Sequence, residues 1–514
     1  MWDESYFKEL AEKRAQIRAG GGDKKINKQH EKGKLTARER IELLVDKDSF
    51  VEFSGMQISD VMIDDAHGKD FPGDGVVTGS AMINGRLVFV SSQDFTVMGG
   101  TISKGNAKKI CRVIQFAMEN KAPYISINDS GGARINEGIY ALDACSEILC
   151  ANATASGVIP QIAVILGSCA GVSCYSPALM DFVIIQKQNG QMYLTGPDVV
   201  KSVLGQEVTK EELGGSRLHM EDSGVAHFCY EDDENCLAKV RELLDYLPQS
   251  YMEKPAWKDY RDIDWSDQIE RLVTDNSRKP YDVRPVIFSI GDGGQFLEVQ
   301  RDYAKNIIVG FVRIGGESVG VVANQPMVMA GSLDAKASEK AARFIRFCDA
   351  FNIPLLAMVD VPGYMPGLEQ ESSGVIRRGA KLLYAFSEAT VPKITLIMRK
   401  AYGGAYLAMN SKSLGADYVF AWPIAQIAVM SAESAIQIIK RKDLKEASDP
   451  EALKEKYEKE YREEFYNPYF AASIGMIDEV ILPNETRERI LQAIATFKNK
   501  YKEGPKKRHN NMPL

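Results

Sequence analysis

Pro123-Tyr124-Ile125-Ser126-Ile127-Asn128-Asp129-Ser130-Gly131-Gly132 returns, 231 residues later, as Pro354-Leu355-Leu356-Ala357-Met358-Val359-Asp360-Val361-Pro362-Gly363. Proline, aspartate and the final glycine keep their places. The run between them reads as a buried strand ending in a tight turn. The same offset joins Gly79 to Gly310, Gly85 to Gly316, Met98 to Met329, Gly100 to Gly331 and Lys109 to Lys340. It also joins Arg112 to Arg343, Ile114 to Ile345 and Phe116 to Phe347. One constant offset over more than fifty residues requires the same elements at the same lengths. The period is far beyond the roughly 20–50 residues of a solenoid unit, so a whole domain is duplicated.

Around this stretch the elements alternate. In the first copy, Val76–Met82 and Leu87–Ser91 read as strands joined at Asn84-Gly85, a hairpin signal. A helix over Ser103–Asn120, the strand Tyr124–Asn128, a helix over Glu137–Thr154 and the strand Gln161–Leu166 follow. The second copy, from Ile307, repeats the hairpin, then a helix at Ala335–Phe351, the strand Leu355–Val359, a helix at Arg377–Glu388 and the strand Lys393–Met398. Alternation of this kind predicts α/β layering in two large domains, 1–260 and 261–514. The boundary falls in a charged, aromatic stretch (Tyr251, Trp257, Tyr260, Trp265). Before the first copy, Gly20-Gly21-Gly22 breaks a helical pattern, and Thr36 with Glu39 has capping-box spacing. Basic residues here (Lys24, Lys25, Lys28, Lys32, Lys34, Arg38, Arg40) could meet phosphates, with a solvated face the favoured reading.

A net charge of −7 argues against a nucleic-acid partner. The eight cysteines form no C-x-x-C pair and are expected to be buried reduced thiols, with no zinc ribbon. No basic n-region precedes an apolar core at Met1, which points to the cytoplasm. The uncharged stretch between Glu147 and Asp181 carries too many polar residues for a membrane span and is read as buried helix and strand.

Chemistry is sought in four Gly-rich strand-to-helix turns, Asp129–Ala133 and Cys169–Val172 in the first copy, Asp360–Gly363 and Tyr402–Ala405 in the second. Such turns aim unpaired backbone N–H groups outward, and two on one carbonyl oxygen make an oxyanion hole. Asp129-Ser130-Gly131-Gly132 resembles a serine-protease nucleophile motif, but the serine follows a strand in an α/β repeat and none of His30, His67, His219, His227 or His509 lies near it in sequence. The histidines are isolated and suggest no metal site. Gly291-Asp292-Gly293-Gly294 lacks the Lys-Ser/Thr of a P-loop.

Nearly the whole chain resembles the carboxyltransferase (β) subunit of biotin-dependent acyl-CoA carboxylases of the propionyl-CoA type, and equally the α subunit of sodium-pumping methylmalonyl-CoA decarboxylase. The resemblance rests on His30–Arg40, Gly73–Gly79, Ser92–Thr96, Asn128–Ile135, Ser156–Gln161, Thr195–Val200, Ala323–Met327, Asp360–Gly363, Arg399–Tyr406 and Ala421–Pro423. It implies two tandem crotonase-like (ClpP/crotonase) β-β-α superhelical domains and a homohexamer built as a dimer of trimers. Each active site would lie between the N-terminal half of one subunit and the C-terminal half of another. Acyl-CoA would bind the N-terminal domain, where Ala133 and Gly171 N–H groups, with Val172 beside them, would meet the thioester oxygen. Biotin, carried by a separate protein, would bind the C-terminal domain at Gly363, Gly404 and Ala405. Gly131, Gly132, Arg134, Ala170, Tyr402 and Leu407 would line the substrates. The biotin anion left by loss of CO2 would take the acyl-CoA α proton, so no side-chain base and no metal would be needed. A biotin carboxylase subunit and a carrier protein are the implied partners, or a membrane decarboxylase subunit for the reverse reaction.

The chain departs from the family at two places. Val172 stands where a glycine is usual and is expected to crowd the thioester hole, and Leu407 stands where propionyl-CoA enzymes often have an acid. The competing readings are a biotin-independent hydratase using Glu137 and a non-catalytic scaffold disabled by Val172.

Overall fold

The computed structural model describes residues 2–61, 72–260 and 269–513. Trp265 and His67, named above, lie outside them, as do the residues from 261 to 268 that follow the expected domain boundary. The chain divides into two compact units, Met1–Lys254 and Pro255–Leu514.

In the first unit the described strands are β1 (Val51–Glu52), β2 (Val76–Ile83), β3 (Arg86–Gln93), β4 (Tyr124–Ser130), β5 (Gln161–Ala170), β6 (Phe182–Gln186), β7 (Gln191–Tyr193) and β8 (Phe228–Tyr230). They form one sheet in the order β1-β2-β3-β4-β5-β6-β8, with β7 on the end of β5. The second unit repeats this with β9 (Leu297–Val299), β10 (Ile307–Ile314), β11 (Glu317–Asn324), β12 (Leu355–Val361), β13 (Lys393–Tyr402), β14 (Tyr418–Ala421), β15 (Gln426–Ala428) and β16 (Glu479–Val480). Its order is β9-β10-β11-β12-β13-β14-β16, with β15 on β13. In each sheet the hairpin is antiparallel and the strands after it are parallel, joined by helices. The hairpin turns are set by Asn84-Gly85 (φ 52° and 73°) and Gly315-Gly316 (φ 63° and 80°), the left-handed pairs a two-residue turn requires.

The repeated identities have physical causes. A Cβ on Gly79 would lie 2.2 Å from the Val51 carbonyl and 2.6 Å from the Phe50 ring. One on Gly310 would lie 2.4 Å from the Leu297 carbonyl and 2.6 Å from the Phe296 ring. Both glycines admit an edge strand. Lys109 and Lys340 are buried and point at carbonyls where the hairpin begins. Lys109 donates to Gly73 (2.7 Å) and Val76, Lys340 to Gln300 (2.9 Å), Tyr303 (2.8 Å) and Ile307 (2.8 Å).

The duplication also runs further than the sequence match. Arg38 grips Glu52 as Arg284 grips Glu298. Asp46 accepts the Asn84 and Gly85 N–H groups and pairs with Arg241; Asp292 accepts those of Gly315 and Gly316 and pairs with Arg487. These partners are 246 residues apart rather than 231, because the first unit has fifteen extra residues between Glu52 and its hairpin and the second has fifteen extra between its hairpin and Arg487.

Helices start where their caps allow. Thr36 and Glu39 form the expected capping box on Ala37–Leu44, Ser103 caps Lys104–Glu119, and Asp334 caps Ala335–Ala350. The uncharged stretch is the end of helix Ile139–Ala155 followed by β5, and among the described residues no helix is long and apolar enough to cross a membrane. All eight cysteines are free thiols.

Candidate active site

The strands β4, β5, β12 and β13 run two to four residues past their expected ends and carry the candidate turns directly on their C-termini. After β4, Ile102 donates to the Gly132 carbonyl (2.8 Å) and accepts from the Arg134 N–H (2.8 Å). Ala133 lies between these contacts, so its own N–H points the other way, and among the described residues it donates to no backbone carbonyl. After β5, Gly171 (φ +66°) turns the chain into one 3-10 turn, Gly171–Cys174. The first N–H groups of such a turn have no partner inside it. A Cβ on Gly132 would lie 2.7 Å from the Ala170 carbonyl, so the two turns abut. Gly131 is held by its N–H to the Gly99 carbonyl at 2.9 Å.

The second unit repeats the arrangement. Leu333 donates to the Gly363 carbonyl (3.1 Å) and accepts from the Met365 N–H (2.7 Å). The residue between is Tyr364, the counterpart of Ala133, so the N–H turned away from Leu333 is that of Tyr364, one residue beyond Gly363. After β13, Gly403 (φ +58°) opens helix Gly403–Ala408, whose first turn carries the N–H groups of Gly403, Gly404 and Ala405. A Cβ on Gly404 or on Gly363 would meet nothing within 4 Å, so both face open space. Because β5 ends at Ala170 and β13 at Tyr402, Gly171 matches Gly403, Val172 matches Gly404 and Ser173 matches Ala405.

One turn of each pair reaches a cavity in the same unit, the first through Cys174 at the end of its 3-10 turn and the second through Gly403 and Gly404. One of about 480 Å3 is lined by Cys174, Tyr175, Met192, Tyr193, Leu194 and His219. The other, of about 420 Å3, is lined by Gly403, Gly404, Leu407, Ile427, Val429 and Phe470 among others. Leu407 is exposed, whereas Tyr402 is buried with its hydroxyl on Gln426 Oε1 at 2.6 Å. Val172 is half-buried and packs on the apolar core of its unit, as does Ala133.

Several side chains are committed elsewhere. Arg134, expected to touch substrate, is 1% exposed and bonded to Asp74 (2.5 Å), Glu137 (3.3 Å) and Thr101. A buried guanidinium needs such partners, so Arg134 braces the loop instead of lining the site. Glu137 also accepts the Lys104 N–H at 2.9 Å, so its carboxylate is part of the same brace. Both ring nitrogens of His219 are bonded, to the Met192 carbonyl (2.7 Å) and Ser223 Oγ (2.9 Å). Among the described residues no group of three or more His, Cys, Asp or Glu could hold a metal.

The basic segment is divided in its role. Lys24, Lys25, Lys28 and Lys32 are exposed, as read from the sequence, but Lys34 and Arg40 are buried on Asp129 at 2.7 and 3.0 Å. In the second unit Asp360 is met by Arg399 (2.9 Å) and Lys400 (3.7 Å). Burial draws the ammonium groups of Lys34 and Lys400 below the usual lysine range, and the aspartates oppose it. The repeated aspartate was visible in the sequence, but its cations arrive from different segments in the two units.

The carboxyl transferase domain family matches residues 28–512. The chain is 51% identical over 515 residues to the propionyl-CoA carboxylase carboxyltransferase subunit of Haloferax mediterranei, with 99% of each chain covered. It is 50% identical over 511 residues to methylmalonyl-CoA decarboxylase subunit alpha of Propionigenium modestum, again with 99% of each covered. It superposes on the transcarboxylase 12S crystal structure, solved as a hexamer assembly with methylmalonyl-coenzyme A and methylmalonic acid bound. That match has a TM-score of 0.96 at 47% identity and covers 100% of this chain and 99% of that one. The expected pair of crotonase-like α/β domains is therefore the fold of this chain. With duplicated backbone turns at its candidate site and similarity over nearly its full length, the chain belongs to the carboxyl transferase family, that of the acyl-CoA carboxylases and transcarboxylase.

Proposed function

We propose that this chain is the carboxyltransferase subunit that moves a carboxyl group between biotin on a separate carrier protein and the α carbon of a short acyl-CoA, with propionyl-CoA and methylmalonyl-CoA as the pair. The observation that carries this reading is the matched set of backbone turns, one beside an apolar cavity in each unit. Two ligands that each put negative charge on a carbonyl oxygen call for two such sites. In the first unit the Ala133 and Gly171 N–H groups would meet the thioester oxygen as the α carbon becomes an enolate. A single well-aimed donor of this type is worth about 3 kcal/mol in the transition state. In the second unit the N–H groups of Gly404, Ala405 and the Gly363-Tyr364 turn would hold the ureido oxygen of biotin.

The second cavity fits that group chemically, since its walls are apolar and aromatic and its donors are backbone N–H groups at one rim. Bound there, biotin would supply the carboxyl group and accept it back. Apolar walls in both units would keep water from quenching the enolate. A homohexamer, a biotin carboxylase subunit and a biotin carboxyl carrier are the partners of this reading. The decarboxylase relative supports the same step run in reverse beside a membrane subunit, and at 50% against 51% identity the partner, not this chain, sets the direction.

The test offers methylmalonyl-CoA with free biotin to the purified chain and follows propionyl-CoA by chromatography. Biotin-dependent loss of the carboxyl group is expected. Intact thioester with bound acyl-CoA, in wild type and in Val172→Gly alike, would overturn the reading in favour of a scaffold.

A further inference from the structure

The parallel ladder that carries the candidate turns is broken at the same place in both units. In the first, Asn128 pairs with Ile165 and Ser130 with Cys169, so Asp129 alone faces Leu166, Gly167 and Ser168. In the second, Val359 pairs with Ile397 and Val361 with Ala401, so Asp360 faces Met398, Arg399 and Lys400. Backbone bonds between the two strands lapse at these steps. The turns beyond them are the ones whose N–H groups must keep a fixed separation.

Ion pairs span both gaps. Arg40 donates to Asp129 on β4 (3.0 Å) and to the Leu166 carbonyl on β5 (2.9 Å), while Lys34 and Gln29 hold the same carboxylate at 2.8 and 3.0 Å. Asp233 secures the far side of Arg40 at 2.8 Å. Across the second gap Asp360 on β12 accepts from the Arg399 side chain (2.9 Å) and the Lys400 N–H (3.2 Å), both on β13. Arg399 is anchored in turn on the carbonyls of Asn276 (2.8 Å) and Lys279 (3.0 Å), and Lys400 Nζ on that of Ser277 (3.1 Å). In the first unit Gly167 and Ser168 occupy the positions of Arg399 and Lys400. The cations have moved from the strand to the segment before helix Ala37–Leu44 and to the helix itself. Two solutions to one requirement, inside one chain, argue that the requirement is the charged bridge itself.

We infer that the Lys34/Arg40–Asp129 and Arg399/Lys400–Asp360 clusters are positioning devices, each fixing the spacing of the two turns that form one oxyanion hole. The N-terminal segment is thereby a working part of the first hole. The inference rests on the proposed function for its kinetic consequence, though not for its structural one.

The test uses the full chain carrying Lys34→Gln or Lys400→Gln, which leave the innermost arginine in place, with Lys→Arg at each site as the conservative variant. A misplacement of about 1 Å can cost on the order of a hundredfold in rate. Lys34→Gln is expected to lower kcat/KM for methylmalonyl-CoA by about that factor with KM for free biotin unchanged. Lys400→Gln is expected to lower kcat/KM for biotin and leave KM for methylmalonyl-CoA unchanged, and arginine is expected to restore most of each loss. A comparable rise in KM for the substrate of the other unit, or a loss that arginine does not restore, would overturn the inference. Hydrogen exchange of peptides spanning 128–136 and 168–176 supplies a readout independent of turnover. Faster exchange confined to those peptides in Lys34→Gln is expected, and unchanged exchange would refute the bridge. If wild type transferred nothing, the functional reading would fail while exchange still decided the positioning role.

Discussion

Gly167→Ala tests the bridge from the opposite side, by displacing the anion. The backbone at Gly167 suits any residue, but a Cβ there would lie 1.9 Å from Asp129 Oδ1, 2.3 Å from Cγ and 2.7 Å from Oδ2. All three atoms of the carboxylate are within contact limits that no real methyl tolerates, so the carboxylate must leave its seat. Its departure takes away the partner of Lys34 and one of the two carboxylates on Arg40, in a pocket where Arg40 and Asp129 have no side-chain exposure. Breaking a buried pair by removing one partner costs about 3–5 kcal/mol. For a unit of this size each kcal/mol is about 2–4 °C, so the first unit's transition should fall by roughly 10 °C. Scanning calorimetry on the full chain would measure it, with Gly404→Ala as the control, since its Cβ meets nothing within 4 Å. Asp129→Asn combined with Gly167→Ala should cost much less than the sum of the two, because both act on one cluster. A Gly167→Ala transition within about 2 °C of wild type would refute the account of how that carboxylate is held.

At the turns, Gly403→Ala should lower transfer by about a hundredfold, because φ is +58° and the new Cβ would sit 2.9 Å from the Val429 carbonyl, turning the first N–H groups away; turnover within threefold would show that those groups are not donors. Val172→Gly should cost about 1–2 kcal/mol in stability, since it removes a half-buried side chain from the core and adds backbone freedom. It should change transfer by less than about tenfold, and a larger gain would show that Val172 does crowd the hole. Burial draws Lys340 to about 7 and Lys109 to about 8. An unfolded lysine titrates near 10.4, so between about 7 and 10 the unfolded chain binds more protons, and stability rises with pH through that window and is lost as pH falls toward 7. Urea unfolding at several pH values should show this slope, and Lys340→Met should flatten it by up to about 1.4 kcal/mol per pH unit; an unchanged slope would mean that Lys340 stays charged in its ring of carbonyls.

The local signals in the sequence were of the kind that one strand or one cap decides alone. Asn84-Gly85 fixed a hairpin because only a left-handed pair closes a two-residue turn, and Ser103 and Thr36 fixed helix starts because their oxygens complete the first turn. Constant spacing around Asp129 and Asp360 was enough to announce two copies of one domain, and the motifs on that frame were enough to name the family. Spacing failed wherever it changed. The match of Arg38, Asp46 and Arg241 to Arg284, Asp292 and Arg487 was hidden by an offset of 246 on either side of the hairpin, though the packing of each set is the same.

The strands also run further than their residue types suggest. Polar residues such as Asp129 and Lys400 look like turn residues, yet they lie in strands because partners distant in the chain satisfy their charge and hydrogen bonds. For the same reason Lys34 and Arg40 read as a solvated face and Arg134 as a substrate ligand. Whether a charge is spent on water, on a ligand or on a buried aspartate depends on which segments meet in space, and one-dimensional spacing does not contain that information. The sequence by itself determined the duplication, the order of elements and the family. Only the tertiary structure decided that the N–H opposite Ala133 in the second unit is that of Tyr364, that Val172 stands where the second unit has Gly404, and that the same broken ladder is bridged by ions from two different parts of the chain.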